Sequence, residues 1–458
     1  MPAVRDDEVV SPTTEPTVPP PTRARRISLF IGLATVGAIG FGGGSALIPV
    51  TERELVRRRG LLRETQYRRH TIVANITPGA LPVKLAAAAG ITVGGWGLAV
   101  IAALVVALPG VLGTLGLLAG SEALGPGAVT LVSRASVGIT AFIVVLLIGY
   151  IHKVHAHAGT RRLRFVGITA VAAVITGAGE LLSLAGALVG AELHVTVPRL
   201  NAVQLIVAAL LVIVAVSVIR PQAADLDLGR SQSSPPQDHG KTIKAAVAFA
   251  AMTVVGLIGF IATGGGEGLT AGFLLALSSV TSFGGGEAYI GVADGFFVAS
   301  GLVDQTAFYT QLVPIANALP GPILVKVAAG MGYLLGADTG PATAWLLAGA
   351  TALIVIGACS LVAVLVLGGY ERLKDHPIMV NIGIYILPVI CGLLVTVSAT
   401  MFDVATTVAA EAGFAAQPVL IVLAVATMVL TWVHLRTRIP DLVLLAGCAA
   451  ASLVILGL

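Results

Sequence analysis

The chain has 458 residues, 56% of them hydrophobic and 11% charged, with a formal net charge of +4 and a mean hydropathy of +0.97. Soluble domains carry about 25% charged residues, so the composition excludes a water-soluble globular domain and predicts an all-α polytopic membrane protein. The arginines cluster in short loops, which is the pattern of cytoplasmic surface rather than of nucleic-acid binding.

In chain order, residues 1–26 are rich in Pro, Thr and acid and predict a disordered N-terminal tail ending in a basic flank. No signal peptide is expected, because the next apolar stretch runs into a Gly-rich motif used as structure. Apolar segments then fall near 28–49, 70–90, 94–119, 131–150, 165–190 and 200–219, forming a first membrane repeat over 27–219. The polar run 220–244 reads as a cytoplasmic linker. An extra transmembrane helix is expected over 245–263. A second repeat, 264–458, holds apolar segments near 270–292, 312–336, 342–368, 379–400, 415–434 and 441–458. The total is about thirteen hydrophobic segments. Cys359, Cys391 and Cys448 lie far apart in these stretches and predict neither a disulfide framework nor a zinc site.

The halves are copies. "FGGGSALIPV" at 41–50 matches "FGGGEAYIGV" at 283–292 in seven of ten positions. "ANITPGALPVKLAAAAG" at 74–90 matches "ANALPGPILVKVAAGMG" at 316–332 in nine of seventeen. Both blocks share an offset of 242 residues, so the chain carries an internal duplication. The loop 51–69 holds seven arginines, whereas its counterpart 293–311 holds no Lys or Arg and two Asp. By the positive-inside rule one copy faces the cytoplasm and the other faces away, so inverted repeats are expected. Two basic loops, 51–69 and 153–164, conflict if every segment crosses. The conflict disappears if the FGGG and Pro-Gly segments are re-entrant or broken helices and the nine others cross. Thirteen full crossings would also invert the copies.

Each Pro-Gly segment carries one lysine, Lys84 or Lys326, in apolar surroundings, and the chain has only six lysines. A Lys at mid-membrane costs roughly 2.5–3.5 kcal/mol. One reading is structural: each lysine snorkels to an interface or pairs with a carboxylate such as Glu180, Glu267 or Glu287. The other is an anion site. Gly79 and Gly321 would each open a new half-helix whose free N–H groups favour negative charge. Asn75 and Asn317 flank them. The FGGG runs would add bare backbone from Gly43, Gly44, Gly285 and Gly286, with the Ser45 hydroxyl, unless those glycines serve close helix packing alone. Such a cradle suits an oxyanion of charge −2. Glu287 is the candidate for proton coupling.

Other constellations are weaker. His152, His155 and His157 fall in a basic loop, and a solvated loop is expected there rather than a metal site. The Gly-rich runs lack G-x-x-x-x-G-K-[ST], which argues against ATP-driven transport. Neither G-x-S-x-G nor H-E-x-x-H occurs, so no enzyme is expected. No cofactor or metal is implied.

With "FGGGSALIPVTERELVRRRG" and "ANITPGALPVK" in the first half and "FGGGEAYI", "ANALPGP" and "GYLLG" in the second, the sequence resembles the chromate ion transporter (CHR) family in its long, two-domain form, over residues 28 to 458. The resemblance implies a multi-pass inner-membrane transporter with inverted repeats, associated with chromate efflux and, by chemical analogy, sulfate. It also implies Pro-Gly-Pro where the first copy has Pro78-Gly79-Ala80, and a neutral polar residue where Lys84 and Lys326 stand. The expected function is secondary active transport of an inorganic oxyanion. The alternatives are transport of a different anion, or a non-transport membrane enzyme or scaffold that binds a phosphate-bearing lipid. The expected partners are the oxyanion and the lipid bilayer, with a homodimer as a further expectation and no nucleic acid.

Overall fold

The structure, a computed structural model, describes residues 22–40, 47–189, 200, 202–219, 239–283, 286–369, 376–437 and 439–456. Among these residues all regular structure is helical. In chain order the helices are α1 (Arg23–Ile39), α2 (Leu47–Glu52), α3 (Glu64–Ile76), α4 (Leu81–Gly94), α5 (Trp96–Ala123), α6 (Pro126–Ala156), α7 (Arg162–Val189) and α8 (Ala202–Ile219). The second half contributes α9 (His239–Thr281), α10 (Gly286–Ala293), α11 (Gln305–Ala307), α12 (Val313–Ala318), α13 (Ile323–Ala337), α14 (Pro341–Gly368), α15 (Pro377–Glu411), α16 (Ala416–Arg436) and α17 (Asp441–Ile455). Most of the N-terminal tail and of the 220–244 linker lies outside the described residues.

Eight helices among the described residues are long and apolar enough to cross a membrane. They match eight of the nine segments expected to span; the ninth, α17, is shorter at 15 residues. The four apolar segments carrying the FGGG and Pro-Gly motifs are not single helices. Helix α1 stops at Ile39, and α3 and α12 stop before their Pro-Gly pairs. At about 1.5 Å per residue, α4 and α13 reach only about 21–23 Å, short of a hydrocarbon core of about 30 Å. They compensate by burial. Nearly every residue of both is enclosed by protein, and apart from Lys84 and Lys326 their sequences are apolar on almost every face.

The 43-residue α9 is not a straight rod. A Cβ on Gly268 would meet the Phe260 carbonyl oxygen at 2.2 Å, and one on Gly272 would meet the Leu257 side chain at 3.0 Å. In a straight helix those residues would be about 12 and 22 Å apart. The helix therefore doubles back between Phe260 and Gly268, separating an arm over His239–Gly264 from the arm equivalent to α1.

Helix boundaries recur at the offset of 242 residues: Ile39 and Thr281, Ile76 and Ala318, Leu81 and Ile323. Helices α4 and α5 form a hairpin about Gly95 (φ 94°), and α13 and α14 form one about Gly340 (φ 132°). Only glycine enters these turns without strain. Contacts between α5 and α13 climb together: Gly110 lies against Lys326, Leu118 against Gly330, and Tyr333 Oη donates to Glu122 Oε2 at 2.7 Å. These two helices run parallel. So do α7 and α15, where Thr169 Oγ1 donates to the Pro388 carbonyl and Thr176 Oγ1 meets Thr396 Oγ1 at 3.1 Å. The halves interlock, with α7 and α8 packing on α15 while α16 and α17 pack on α6.

Candidate functional site

Each Pro-Gly break is built the same way. The residue before proline is held extended: Thr77 has φ −97°, ψ 148°, and Leu319 has φ −105°, ψ 149°. The chain then turns through Gly79 (φ 98°) or Gly321 (φ 99°) and starts a new helix. A helix that ends in an apolar interior leaves its last carbonyls without intrahelical partners. The lysines satisfy them. Lys84 Nζ donates to the carbonyls of Ala74 (2.6 Å) and Thr77 (2.5 Å), while Lys326 Nζ donates to those of Ala316 (2.5 Å) and Leu319. Both side chains are buried, at 2% and 0% exposure. A cation at the negative end of a helix dipole is also favourable.

The lysines thus take backbone carbonyls as partners in place of the carboxylate of the structural reading. Among the described residues neither lysine forms a carboxylate ion pair, and Glu267 is exposed. Two of the three N–H donors of each ammonium go to backbone, leaving one. Asn75 and Asn317 also turn inward on their own helices, donating to the carbonyls of Thr71 (2.8 Å) and Val313 (2.9 Å). Asn317 lines a small cavity with Phe142, Leu319, Ile323 and Asp441.

The breaks are also tied to each other. Gly79 N–H donates to the Ser282 carbonyl at 2.6 Å, and Gly321 N–H donates to the Gly40 carbonyl at 2.8 Å. These four residues obey the 242 offset, so each half closes its Pro-Gly turn on the residue that precedes the other half's FGGG run. The glycine amides expected to face an anion are therefore engaged with protein. Gly286 opens α10, and a Cβ there would meet Ile323 Cβ at 2.7 Å. Gly43, Gly44, Ser45 and Gly285 lie outside the described residues, as does the Glu287 side chain.

Three contributors were not singled out from the sequence. A Cβ on Gly79 would strike Cys359 Sγ at 2.2 Å, and one on Gly110 would strike the Pro320 carbonyl oxygen at 2.5 Å and Lys326 Cδ at 2.9 Å. Gly37 faces the Val106 carbonyl oxygen at 2.3 Å in the same way. Gly37 and Gly110 admit backbone, and Gly79 admits the Cys359 side chain, from elements distant in sequence, and no local pattern marks Gly37, Gly110 or Cys359.

The histidine cluster is not simply a solvated loop. Helix α6 runs on to Ala156, and His155 is buried, with Nδ1 2.8 Å from the Ile151 carbonyl oxygen and Nε2 3.2 Å from Thr169 Oγ1. His152 and His157 are exposed. No metal-holding group of His, Cys, Asp or Glu occurs among the described residues.

Fold and site together define a multi-pass helical membrane protein whose buried centre is made of broken helices. A family model described as "Chromate transporter" matches residues 27–193 and 269–453, and the chain belongs to the chromate transporter family. It is 35% identical over 92 residues to "Uncharacterized transporter YwrA" of Bacillus subtilis (strain 168), covering 20% of this chain and 52% of that protein. It is 31% identical over 118 residues to "Uncharacterized transporter YwrB" of the same organism, covering 24% of this chain and 60% of the relative. The matches thus span little more than half the length of either relative. No solved structure matches the chain. The family model and both relatives carry the description of transporters.

Proposed function

We propose that the chain is a secondary active transporter of an inorganic oxyanion, chromate or a sulfate-like dianion, bound where the halves meet at Pro78-Gly79 and Pro320-Gly321. The observation that carries this reading is the reciprocal pair of bonds, Gly79 to Ser282 and Gly321 to Gly40. It puts two broken helices and two ammonium groups into one interlocked, buried unit. Broken backbone at membrane depth is tolerated only where protein or a cavity surrounds it, and transporters use it to bind ions near the midplane. Lys84 and Lys326 each keep one N–H donor for an anion. A state in which the ammonium leaves its carbonyls would present all three. The FGGG backbone completes the site in this reading, and Glu287 carries the coupled proton.

The same reading takes the repeats as inverted, with the N-terminus and the 220–244 linker on the cytoplasmic side of the plasma membrane. Helix directions support it. Helix α5 runs antiparallel to α4 and parallel to α13, so the equivalent helices α4 and α13 point oppositely. The arginines of 51–69 and their absence from 293–311 agree. Alternating access would then be motion of one half against the other about the shared breaks.

Uptake of radiolabelled sulfate and of chromate into vesicles holding the purified protein, with and without a pH gradient, is the test. Gradient-dependent movement of either anion is expected. No movement of any oxyanion, together with binding of a phosphate-bearing lipid, would favour the non-transport alternative.

A further inference from the structure

We propose that the anion seat is one-sided: it lies at the first break, with Lys84 and the Ser282 hydroxyl as ligands, and the second break is its mechanical counterpart. This rests on the oxyanion reading above and specifies which half of the site does the binding.

The two breaks share a backbone but not their surroundings. Around Gly79 the opposite half supplies Ser278, Ser279, Ser282, Tyr289 and Cys359, all at 0% exposure. At the 242 offset, the positions facing Gly321 that correspond to the first four are Val36, Gly37, Gly40 and Leu47. None of those four carries a hydroxyl. Polar groups in a lipid-enclosed interior are costly unless bonded, so a cluster kept on one side only needs a reason.

Most of the cluster satisfies itself. Ser278 Oγ donates to the Leu275 carbonyl at 2.9 Å and lies 3.2 Å from Tyr289 Oη, whose proton it accepts. Ser279 Oγ donates to the Ala276 carbonyl at 2.7 Å, and Cys359 Sγ donates to the Ser279 carbonyl at 3.8 Å. The exception is Ser282 Oγ, fully buried and without a partner among the described residues. Its own carbonyl holds the Gly79 N–H, so the residue sits at the turn itself. Three features therefore coincide there: the N-terminus of the 14-residue α4, an ammonium with a spare donor, and an orphan hydroxyl. Together they suit a tetrahedral dianion. At the second break the Lys326 stem is pressed against α5 at Gly110, and the nearby hydroxyl on that helix, Thr114 Oγ1, is already bonded to the Gly110 carbonyl at 2.9 Å.

The experiment is titration of purified full-length protein with sulfate and with chromate, read by thermal shift, on four variants. Ser282→Ala should weaken anion affinity about tenfold or more. It should melt at or above wild type without ligand, because it removes an unbonded group and strands nothing. Lys84→Gln should weaken affinity at least as much. Lys326→Gln should lower the melting temperature and weaken affinity clearly less than Lys84→Gln does. Thr114→Val, which removes a hydroxyl already bonded to the Gly110 carbonyl, should leave affinity unchanged. Wild-type affinity in Ser282→Ala, or equal affinity losses in the two lysine variants, would overturn the one-sided seat while leaving oxyanion binding intact. A wild-type protein that responds to neither anion would overturn the oxyanion reading itself.

Discussion

The loops that follow the two FGGG runs share a backbone and differ in almost everything else. In each, a π-turn (Arg53–Arg58 or Asp294–Val298) leads into a closing bond, from Leu61 N–H to the Leu55 carbonyl at 2.8 Å or from Val303 N–H to the Phe297 carbonyl at 2.9 Å. The first loop is then finished with charge. Glu54, at 1% side-chain exposure, accepts from Arg58 at 3.1 Å and from Arg59 at 3.3 Å, and Arg59 also reaches Ser28. The second is finished with rings. Phe296, Phe297, Phe308 and Tyr309 are buried, and Tyr309 Oη donates to Asp294 at 2.7 Å. One conformation can thus be stabilised by either chemistry. Which chemistry is used follows the side of the membrane proposed for each loop, since arginine is retained on the cytoplasmic face.

The sharpest way to break that comparison is all-or-none. With the native cysteines replaced, Arg57→Cys and Leu302→Cys, both at exposed positions, should react with an impermeant thiol reagent from opposite sides of sealed vesicles. Reaction from the same side would remove the inverted arrangement.

Next in size are the turn glycines. Gly79→Ala and Gly321→Ala both place a side chain at positive φ, at a cost of about 1–2 kcal/mol. Gly79 also faces Cys359 Sγ at 2.2 Å, whereas the nearest atom to a Cβ on Gly321 is at 3.1 Å. Gly79→Ala should therefore melt lower in detergent than Gly321→Ala, and Cys359→Ala should restore part of the difference. Equal melting of the two variants would show that the breaks tolerate crowding alike.

The lysines come third. Lys84→Met and Lys326→Met each leave two carbonyls without their donor, and hydrogen bonds from a charged group contribute roughly 1.5–3 kcal/mol each. Both variants should lose several degrees of thermal stability, and by similar amounts because the clamps match. A variant that melts like wild type would show its clamp to be dispensable.

The smallest effect belongs to Glu54. Burial pushes its carboxyl upward, but hydrogen bonds and charge from Arg58 and Arg59 leave it below the ordinary carboxylate range. A depressed value in the fold contributes stability above the unfolded value and loses it as pH falls through the folded one. Wild type should therefore weaken on acidification through and below the usual carboxylate range, and Glu54→Gln should show a flatter melting-versus-pH curve. An identical curve would assign the acid sensitivity elsewhere.

Much of this was legible in the letters because glycine, proline and lysine announce themselves locally. The duplication, the breaks and the matched cations all come from residue types whose backbone or charge behaviour is distinctive. What the lysines hold was not legible. Their partners are the carbonyls of Ala74, Thr77, Ala316 and Leu319, and every residue has a carbonyl, so no letter marks the acceptor. The roles of Gly110, Cys359 and Ser282 depend on neighbours about 80 to 280 positions away, beyond any periodicity. The doubling back of α9 falls between the two apolar segments expected over 245–263 and 270–292, although the helix runs through the short loop expected at 264–269.

The crossed bonds at the breaks also set a schedule for synthesis. Gly79 leaves the ribosome about 200 residues before Ser282, which at about 5–20 residues per second is an interval of about 10–40 s. Throughout that time the first turn has no acceptor for its amide, and α6 has neither α16 nor α17 to cover it. The first half must wait unfinished in the bilayer for the second, exposed to quality-control proteases, so a chain truncated at the linker should be degraded rather than accumulate as a stable half-protein.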